Sequence, residues 1–248
     1  MSLDRDREAA QKTGDSVLAR LSPTTQLVLA LLGGIVLTLA FSILFVGLEL
    51  QALGLALAGY FVGGVFALAL LRRGYPHQVL GLGNLTTLFR MSMVAALLAP
   101  LAGVAMPWAV VVLATIALVL DGVDGALARR ANLVSSFGGR LDMEVDSILA
   151  LILTLNVWAA GITGPWIILL GLPRYLFIVA AKIMPWLDKP LPPSLSRRVI
   201  CVVQVASIIG LYAPILPGVL VIPVALIVAG LLIWSFGRDI IWLWRSRS

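Results

Sequence analysis

Four aspartates stand at short, regular spacings in a stretch of the chain that is otherwise largely apolar. They are Asp121, Asp124, Asp142 and Asp146. A helix advances about 100° per residue, so the first pair shares one helix face and the second pair shares another. Neighbouring carboxylates cannot all stay ionised without a positive partner. Hard oxygen ligands of this kind suit Mg²⁺ or Mn²⁺, so the spacing predicts a divalent-metal site between two helices.

The residues beside the acids are small. Ala128 lies on the same helix face as Asp121 and Asp124, and glycines at positions 125 and 138 remove side-chain bulk next to it. Glu144 is turned by about 200° from its neighbour at position 142 on a helix. We therefore exclude Glu144 from the cluster and expect it to pair with a cytoplasmic arginine.

Taken together, this pattern resembles the signature of the CDP-alcohol phosphotransferase family. The eight signature positions are filled by Asp121, Asp124, Gly125, Ala128, Arg129, Gly138, Asp142 and Asp146. The resemblance implies that the four aspartates bind two Mg²⁺ or Mn²⁺ ions and that Asp146 is also the base for the acceptor alcohol. It implies transfer of a phosphatidyl or similar phospholipid group from a CDP-linked lipid to an alcohol, with release of CMP, in phospholipid biosynthesis.

The resemblance also assigns contacts to the nucleotide. These fall on Asn84, Thr87, Gly125, Ala128, Arg129, Ser135 and Gly138. Arg129 suits a diphosphate as a bidentate donor. Asn84 and Thr87 match an Asn-x-x-Thr element of the family, although an N-cap role for Asn84 is the alternative. Arg90 follows within the same apolar run and needs polar surroundings there.

Basic residues further along the chain are candidates for binding the acceptor. They are Arg174, Lys182, Arg197 and Arg198. Arg174 falls inside an apolar run, where an isolated charge is costly and favours a functional role. For the other three, an interfacial charge is an equal alternative. If these side chains converge, we expect an acceptor that carries its own phosphate, such as glycerol phosphate or inositol phosphate.

The composition sets the class of protein. Of the 248 residues, 60% are hydrophobic and 12% are charged, which is too little charge for an ordinary soluble domain of this size. Apolar runs near 20 residues in length predict an all-α integral membrane protein with about eight transmembrane helices. The sixth run spans about Pro165 to Met184, and the eighth ends near Ile233.

These runs divide the chain into four predicted parts. An N-terminal cytoplasmic tail covers 1–23, and two extra transmembrane helices cover 24–77. A six-helix catalytic body resembling the family covers 78–236, and an interfacial cytoplasmic tail covers 237–248. Gly59 and Gly63 form a small-residue face, which suits packing within the chain as well as it suits a homodimer.

The basic residues predict the orientation in the membrane. Loops near Glu49, Ala102, Thr163 and Pro217 hold no lysine or arginine. The positive-inside rule then places both termini and the aspartates on the cytoplasmic side of a multi-pass cell membrane protein, with the bacterial inner membrane as the expected location. The net charge of +6 reflects these inner loops and does not indicate nucleic-acid binding. The expected partners are the CDP-lipid, the acceptor alcohol and membrane lipids.

Three alternatives stay open at this point. The substrates could be reversed, with a lipid alcohol such as diacylglycerol attacking a soluble CDP-alcohol. Acid clusters at membrane depth are also typical of cation transporters and channels. An ion path would require charged residues on both sides of the membrane, whereas the outer half of this protein is nearly free of charge. A non-catalytic scaffold would have no use for four unpaired acids.

Overall fold

The computed structural model describes residues 21–245 apart from Asn132, Pro190, Pro192 and Pro193. Within helices it describes the backbone but not the side chains of Val123, Asp124, Ala126, Ala128 and Arg130. Most of the predicted N-terminal tail (1–23) lies outside the described residues, as does the end of the predicted C-terminal tail.

The described part of the chain is all-α, as the composition predicts, with no strand in it. Its eight α-helices are α1 (Pro23–Val46), α2 (Leu50–Arg72), α3 (Gly81–Ala96), α4 (Pro107–Arg130), α5 (Ser136–Ala159), α6 (Pro173–Ile183), α7 (Leu195–Tyr212) and α8 (Gly218–Arg245). Short 3₁₀ segments cover Ala99–Leu101, Pro165–Leu170 and Pro185–Asp188. The first helix begins at a regular N-cap, because the Ser22 hydroxyl accepts a hydrogen bond from the Thr25 backbone N–H at 3.2 Å.

Several helices have the length and composition of membrane spans. α1, α2, α7, α8 and the continuous segment Gly81–Leu101 are long and apolar enough to cross a bilayer, and Pro107–Gly122 is a shorter apolar stretch. Their outward faces carry exposed large apolar side chains, such as Leu44, Phe61 and Ile233. Exposed apolar faces on long helices are stable in lipid and costly in water. The protein is therefore a multi-pass membrane protein.

Two elements differ from the predicted spans. The sixth predicted span is not one helix: a 3₁₀ segment, Pro165–Leu170, precedes α6, which has 11 residues. Pro173 has no N–H and cannot donate a backbone hydrogen bond back to the 3₁₀ segment, which favours a break between the two pieces. At about 1.5 Å per residue, α6 covers roughly half of a hydrocarbon core. The last helix continues to Arg245, through the segment predicted as an interfacial tail.

α3 lies at the centre of the helix assembly. It contacts α1 and α2 on one side and α4 and α5 on the other, and most of its residues are buried. A Cβ at Gly63 of α2 would lie 2.8 Å from the sulfur of Met91 in α3. The small-residue face at Gly59 and Gly63 therefore packs within the chain. α7 completes the assembly by contacting α4, α5 and α8.

Contacts between loops show which helix ends lie together. A Cβ at Gly103 would lie 2.6 Å from a Glu49 carboxylate oxygen, so the α1–α2 and α3–α4 connections share one end. At the other end, His77 Nε2 lies 3.2 Å from the Val134 carbonyl oxygen, in the turn between α4 and α5. The segment that leads into α3 thus lies against the turn between α4 and α5. These two helices carry the signature residues, and we call the turn between them the signature turn.

Candidate active site

Three of the four predicted metal ligands come together where α4 meets α5. Asp121 lies on α4, and Asp142 and Asp146 lie one turn apart on α5. Each offers a carboxylate oxygen, and these atoms all lie within 4.8 Å of one another. The carboxylates are partly exposed, at 27%, 33% and 41% of their side-chain surface. A small ion or a substrate group can therefore reach them.

The cluster is held by an arginine from a third helix. The guanidinium of Arg90 on α3 lies 3.0 Å from Asp121 and 2.7 Å from Asp142, and it donates to Asp146 as well. Its Nε donates to the backbone carbonyl of Ala117 at 3.0 Å. The Arg90 side chain is fully buried. A buried charge of this kind needs compensating partners, and the aspartates supply them.

The donor set fits a divalent cation. All three side chains offer carboxylate oxygens, the ligand type that Mg²⁺ and Mn²⁺ prefer. Among the described side chains of this cluster, three carboxylates face one guanidinium, so the cluster keeps negative charge after Arg90 is counted. Each of these ion pairs with Arg90 uses one oxygen, Oδ1, of its carboxylate, and a carboxylate has further lone pairs on its second oxygen. Asp124, the fourth predicted ligand, has a side chain outside the described residues.

On the nucleotide side, the structure joins α3 to the start of α5. Asn84 is buried inside α3 and is not its N-cap, because the helix already begins at Gly81 with Leu80 as the capping residue. The N-cap alternative for Asn84 is therefore wrong. A Cβ at Gly138 would lie 2.5 Å from Asn84 Oδ1, so a glycine at this position lets the two helices approach. Thr87 is buried one turn further along α3 and donates to the Gly83 carbonyl at 3.2 Å.

The other predicted nucleotide residues lie around the signature turn. The exposed Arg129 bends back along α4, so that a Cβ at Gly125 would lie 3.2 Å from a guanidinium nitrogen. Ser135 is the N-cap of α5, and its hydroxyl accepts a hydrogen bond from the Gly138 N–H at 3.1 Å. The side chain of Ala128 lies outside the described residues.

Two acceptor candidates pair with carboxylates outside the cluster. Arg174, near the start of α6, lies 2.5 Å from a Glu144 oxygen and 3.3 Å from the Met143 sulfur. Glu144 therefore pairs with an arginine, as predicted, and this arginine is Arg174. Arg197 on α7 lies 3.1 Å from Asp239 on α8. The other two candidates, Lys182 and Arg198, are exposed.

Comparison with known proteins supplies the family. The model of the CDP-alcohol phosphatidyltransferase family matches residues 80–234, well over half of the chain. The chain belongs to the CDP-alcohol phosphatidyltransferase family. As a CDP-alcohol phosphatidyltransferase it acts on a CDP-alcohol and an alcohol acceptor, and a divalent metal is general in the family. No curated protein and no solved structure matches the chain.

The match starts at Leu80, so the phosphatidyltransferase region contains α3 to α7 and most of α8. α1 and α2 precede it.

Two residues of the site were not assigned a role from the sequence. Arg90 was recognised only as a charge in need of polar surroundings. Two signals in the sequence could have identified Arg90. Four neighbouring acids require a cation, and Arg90 follows Asn84 and Thr87 at a regular spacing of three residues. Tyr75, which contacts Asn84, has no comparable signal.

Proposed function

We propose that this protein transfers a phosphatidyl group from a CDP-linked lipid to an alcohol acceptor and releases CMP. The observation that carries the proposal is the convergence of Asp121, Asp142 and Asp146 on one point inside a membrane helix assembly. This arrangement lies within a complete family signature. The acceptor in this proposal is itself phosphorylated, as glycerol phosphate or inositol phosphate is.

The aspartates hold the metal in this proposal, with Asp124 as the fourth ligand beside the three that converge. When bound, one or two Mg²⁺ or Mn²⁺ ions would neutralise the negative charge that develops on the diphosphate as its bond breaks. Arg90 keeps Asp121, Asp142 and Asp146 in place from the side of α3. The carboxylates are thus preorganised, which lowers the cost of arranging them during the reaction.

The nucleotide half of the substrate lies between α3 and the signature turn. Asn84, Thr87 and Ser135 supply polar groups, and Arg129 binds the diphosphate. Gly125 and Gly138 leave room for the side chains of Arg129 and Asn84 beside the backbone, and the small residue Ala128 leaves space for the diphosphate. The lipid tails of the CDP-lipid remain in the bilayer beside the helices, while the diphosphate faces the cytoplasmic side.

The transfer step needs one proton acceptor. An oxygen of the acceptor alcohol attacks the phosphorus that carries the lipid, and the bond from this phosphorus to the bridging oxygen of CMP breaks. CMP leaves with the electron pair of that bond. Asp146 orients the attacking hydroxyl and accepts its proton. Arg174, Lys182, Arg197 and Arg198 are the candidates for holding the acceptor's phosphate.

A CMP-release assay on the purified full chain tests the proposal. CDP-diacylglycerol is offered with glycerol 3-phosphate, inositol phosphate and their unphosphorylated forms, with Mg²⁺, and again with EDTA. We expect CMP release that depends on the metal and prefers a phosphorylated acceptor. In a second arm, soluble CDP-alcohols are offered with diacylglycerol, and turnover only there would show reversed substrates. Cation uptake into liposomes without nucleotide, together with no CMP release in either arm, would overturn the enzyme proposal.

A further inference from the structure

The two N-terminal helices contact the helix that carries the nucleotide-side residues. α1 and α2 lie before the family match, and both contact α3. α3 carries Asn84 and Thr87 as well as Arg90. Any contact that moves the start of α3 therefore moves one wall of the proposed nucleotide site.

A buried glutamine in α1 fixes the start of α3. The Leu80 backbone N–H donates to Gln26 Oε1 at 2.8 Å, and Leu80 is the residue that caps α3. Gln26 Nε2 donates to the carbonyls of Gln78 at 3.3 Å and Leu21 at 3.0 Å. N–H groups at a helix start lack partners within the helix, and leaving them unpaired is costly away from water. Gln26 supplies one such partner from a different helix.

A tyrosine in the α2–α3 connection orients the Asn84 amide. Tyr75 Oη lies 2.9 Å from the carbonyl oxygens of both Val79 and Leu80, which share its single proton, and it accepts a hydrogen bond from Asn84 Nδ2 at 3.1 Å. Asn84 Nδ2 also donates to the Leu80 carbonyl at 2.5 Å. With Nδ2 directed to these partners, Asn84 Oδ1 points toward Gly138 of α5, the second signature helix.

The same connection rests on the signature turn. The Tyr75 ring meets the ring of Phe137 edge-on, with centroids 5.5 Å apart, and His77 contacts the Val134 carbonyl. Burial raises the pKa of the Tyr75 phenol, and the hydrogen bond from Asn84 lowers it by less. The phenol therefore stays protonated at neutral pH and keeps the proton that it donates to the backbone carbonyls.

We propose that Tyr75 is a positioning residue for nucleotide binding, which acts by holding the Asn84 carbonyl oxygen toward the signature helix. There this oxygen accepts a hydrogen bond from a donor group of the nucleotide. Gln26 of α1 anchors the connection, so the N-terminal helices serve the site without touching the substrate. The inference rests on the proposed function, because the nucleotide contact of Asn84 belongs to that proposal.

Calorimetric binding of CDP with Mg²⁺ to the full chain tests this role. Tyr75→Phe keeps the ring and removes the hydroxyl, and we expect it to weaken CDP binding by about threefold to tenfold. The KM for the acceptor alcohol should not change. Tyr60→Phe is the matched control, because Tyr60 is a buried tyrosine of α2 whose hydroxyl donates to the Leu31 carbonyl of α1 at 3.2 Å, away from Asn84. It should bind CDP as the unchanged protein does.

Coupling to Asn84 separates positioning from a general loss of structure. In an Asn84→Ala background, Tyr75→Phe should cause no further loss of CDP affinity, because residues that act through one another are not additive. Gln26→Leu should weaken CDP binding in the same direction and by less.

Three results would overturn the inference while leaving the proposed function intact. The first is unchanged CDP affinity in Tyr75→Phe. The second is additive losses in the double variant. The third is an equal rise in the acceptor KM. If the unchanged protein neither binds CDP nor releases CMP, the proposed function fails, and the inference fails with it.

Discussion

Two arginines within the helix assembly have different surroundings. Arg90 is fully buried and contacts three aspartates from two other helices. Arg174 has 30% of its side-chain surface exposed and contacts one glutamate. Arg90 and its three aspartates together keep excess negative charge, whereas Arg174 and Glu144 form a neutral pair.

The charge balance favours an added cation at the aspartate cluster and not at the Arg174–Glu144 pair. A neutral pair has no electrostatic need for an added ion. Three carboxylates that share a single guanidinium still repel one another, and a divalent cation relieves that repulsion. Both arginines fall within apolar runs of the sequence, so that feature does not separate them. The number and type of their partners does.

The largest effect is expected from removing the buried arginine. Arg90→Met leaves three carboxylates without their shared cation. Removing one partner of a buried ion pair costs about 3–5 kcal/mol, and the partial exposure of the aspartates places this case near the lower end. We expect a lower unfolding temperature in detergent and loss of CMP release. Arg90→Lys keeps the charge without the planar fork, and it should recover part of the stability. If Arg90→Met kept the stability and the activity of the unchanged protein, the distinction drawn here between Arg90 and Arg174 would be wrong.

A matched pair of substitutions on α5 should give the next largest effect. Asp142→Asn and Glu144→Gln each replace a carboxylate by an amide of the same shape, two residues apart. Asp142→Asn should lower CMP release by at least about 100-fold, because it weakens the metal site. Glu144→Gln should change it by less than about fivefold, because a partly exposed ion pair contributes about 1 kcal/mol or less. Initial rates across a Mg²⁺ titration measure both, and equal losses would contradict the distinction between the two groups.

The smallest effect is expected at the neutral pair and concerns the acceptor. Arg174→Ala should raise the apparent KM for a phosphorylated acceptor by roughly tenfold, as loss of a charged hydrogen bond does, and more than it raises the KM for the CDP-lipid. Glu144→Gln is the control, since it releases Arg174 without removing it and should not raise the acceptor KM. If both variants raise it alike, the pair has a structural role and Arg174 does not bind the acceptor.

Much of the architecture follows from local sequence. α1 begins at Pro23, one residue before the predicted start at 24, because the length of an apolar run and a proline at a helix start are local signals. The divided sixth span was not predicted, because the apolar run continues through Pro165–Leu170 although the helix does not. The aspartates were found because their spacings repeat the period of a helix. For the aspartates to meet at one point, the two helices that carry them must pack side by side. The structure brings three of the four aspartates together.

The sequence alone determined the membrane class, the family signature and the acids that suit a metal, because each depends on composition or on spacing within one or two adjacent helices. Only the tertiary structure decided which groups those acids meet. Arg90 and Asp142 are 52 residues apart in the chain, and the contacts of Tyr75 with Asn84 and of Arg174 with Glu144 also join separate elements. Such pairings are set by how whole helices pack and rotate against each other, and no local pattern specifies that arrangement.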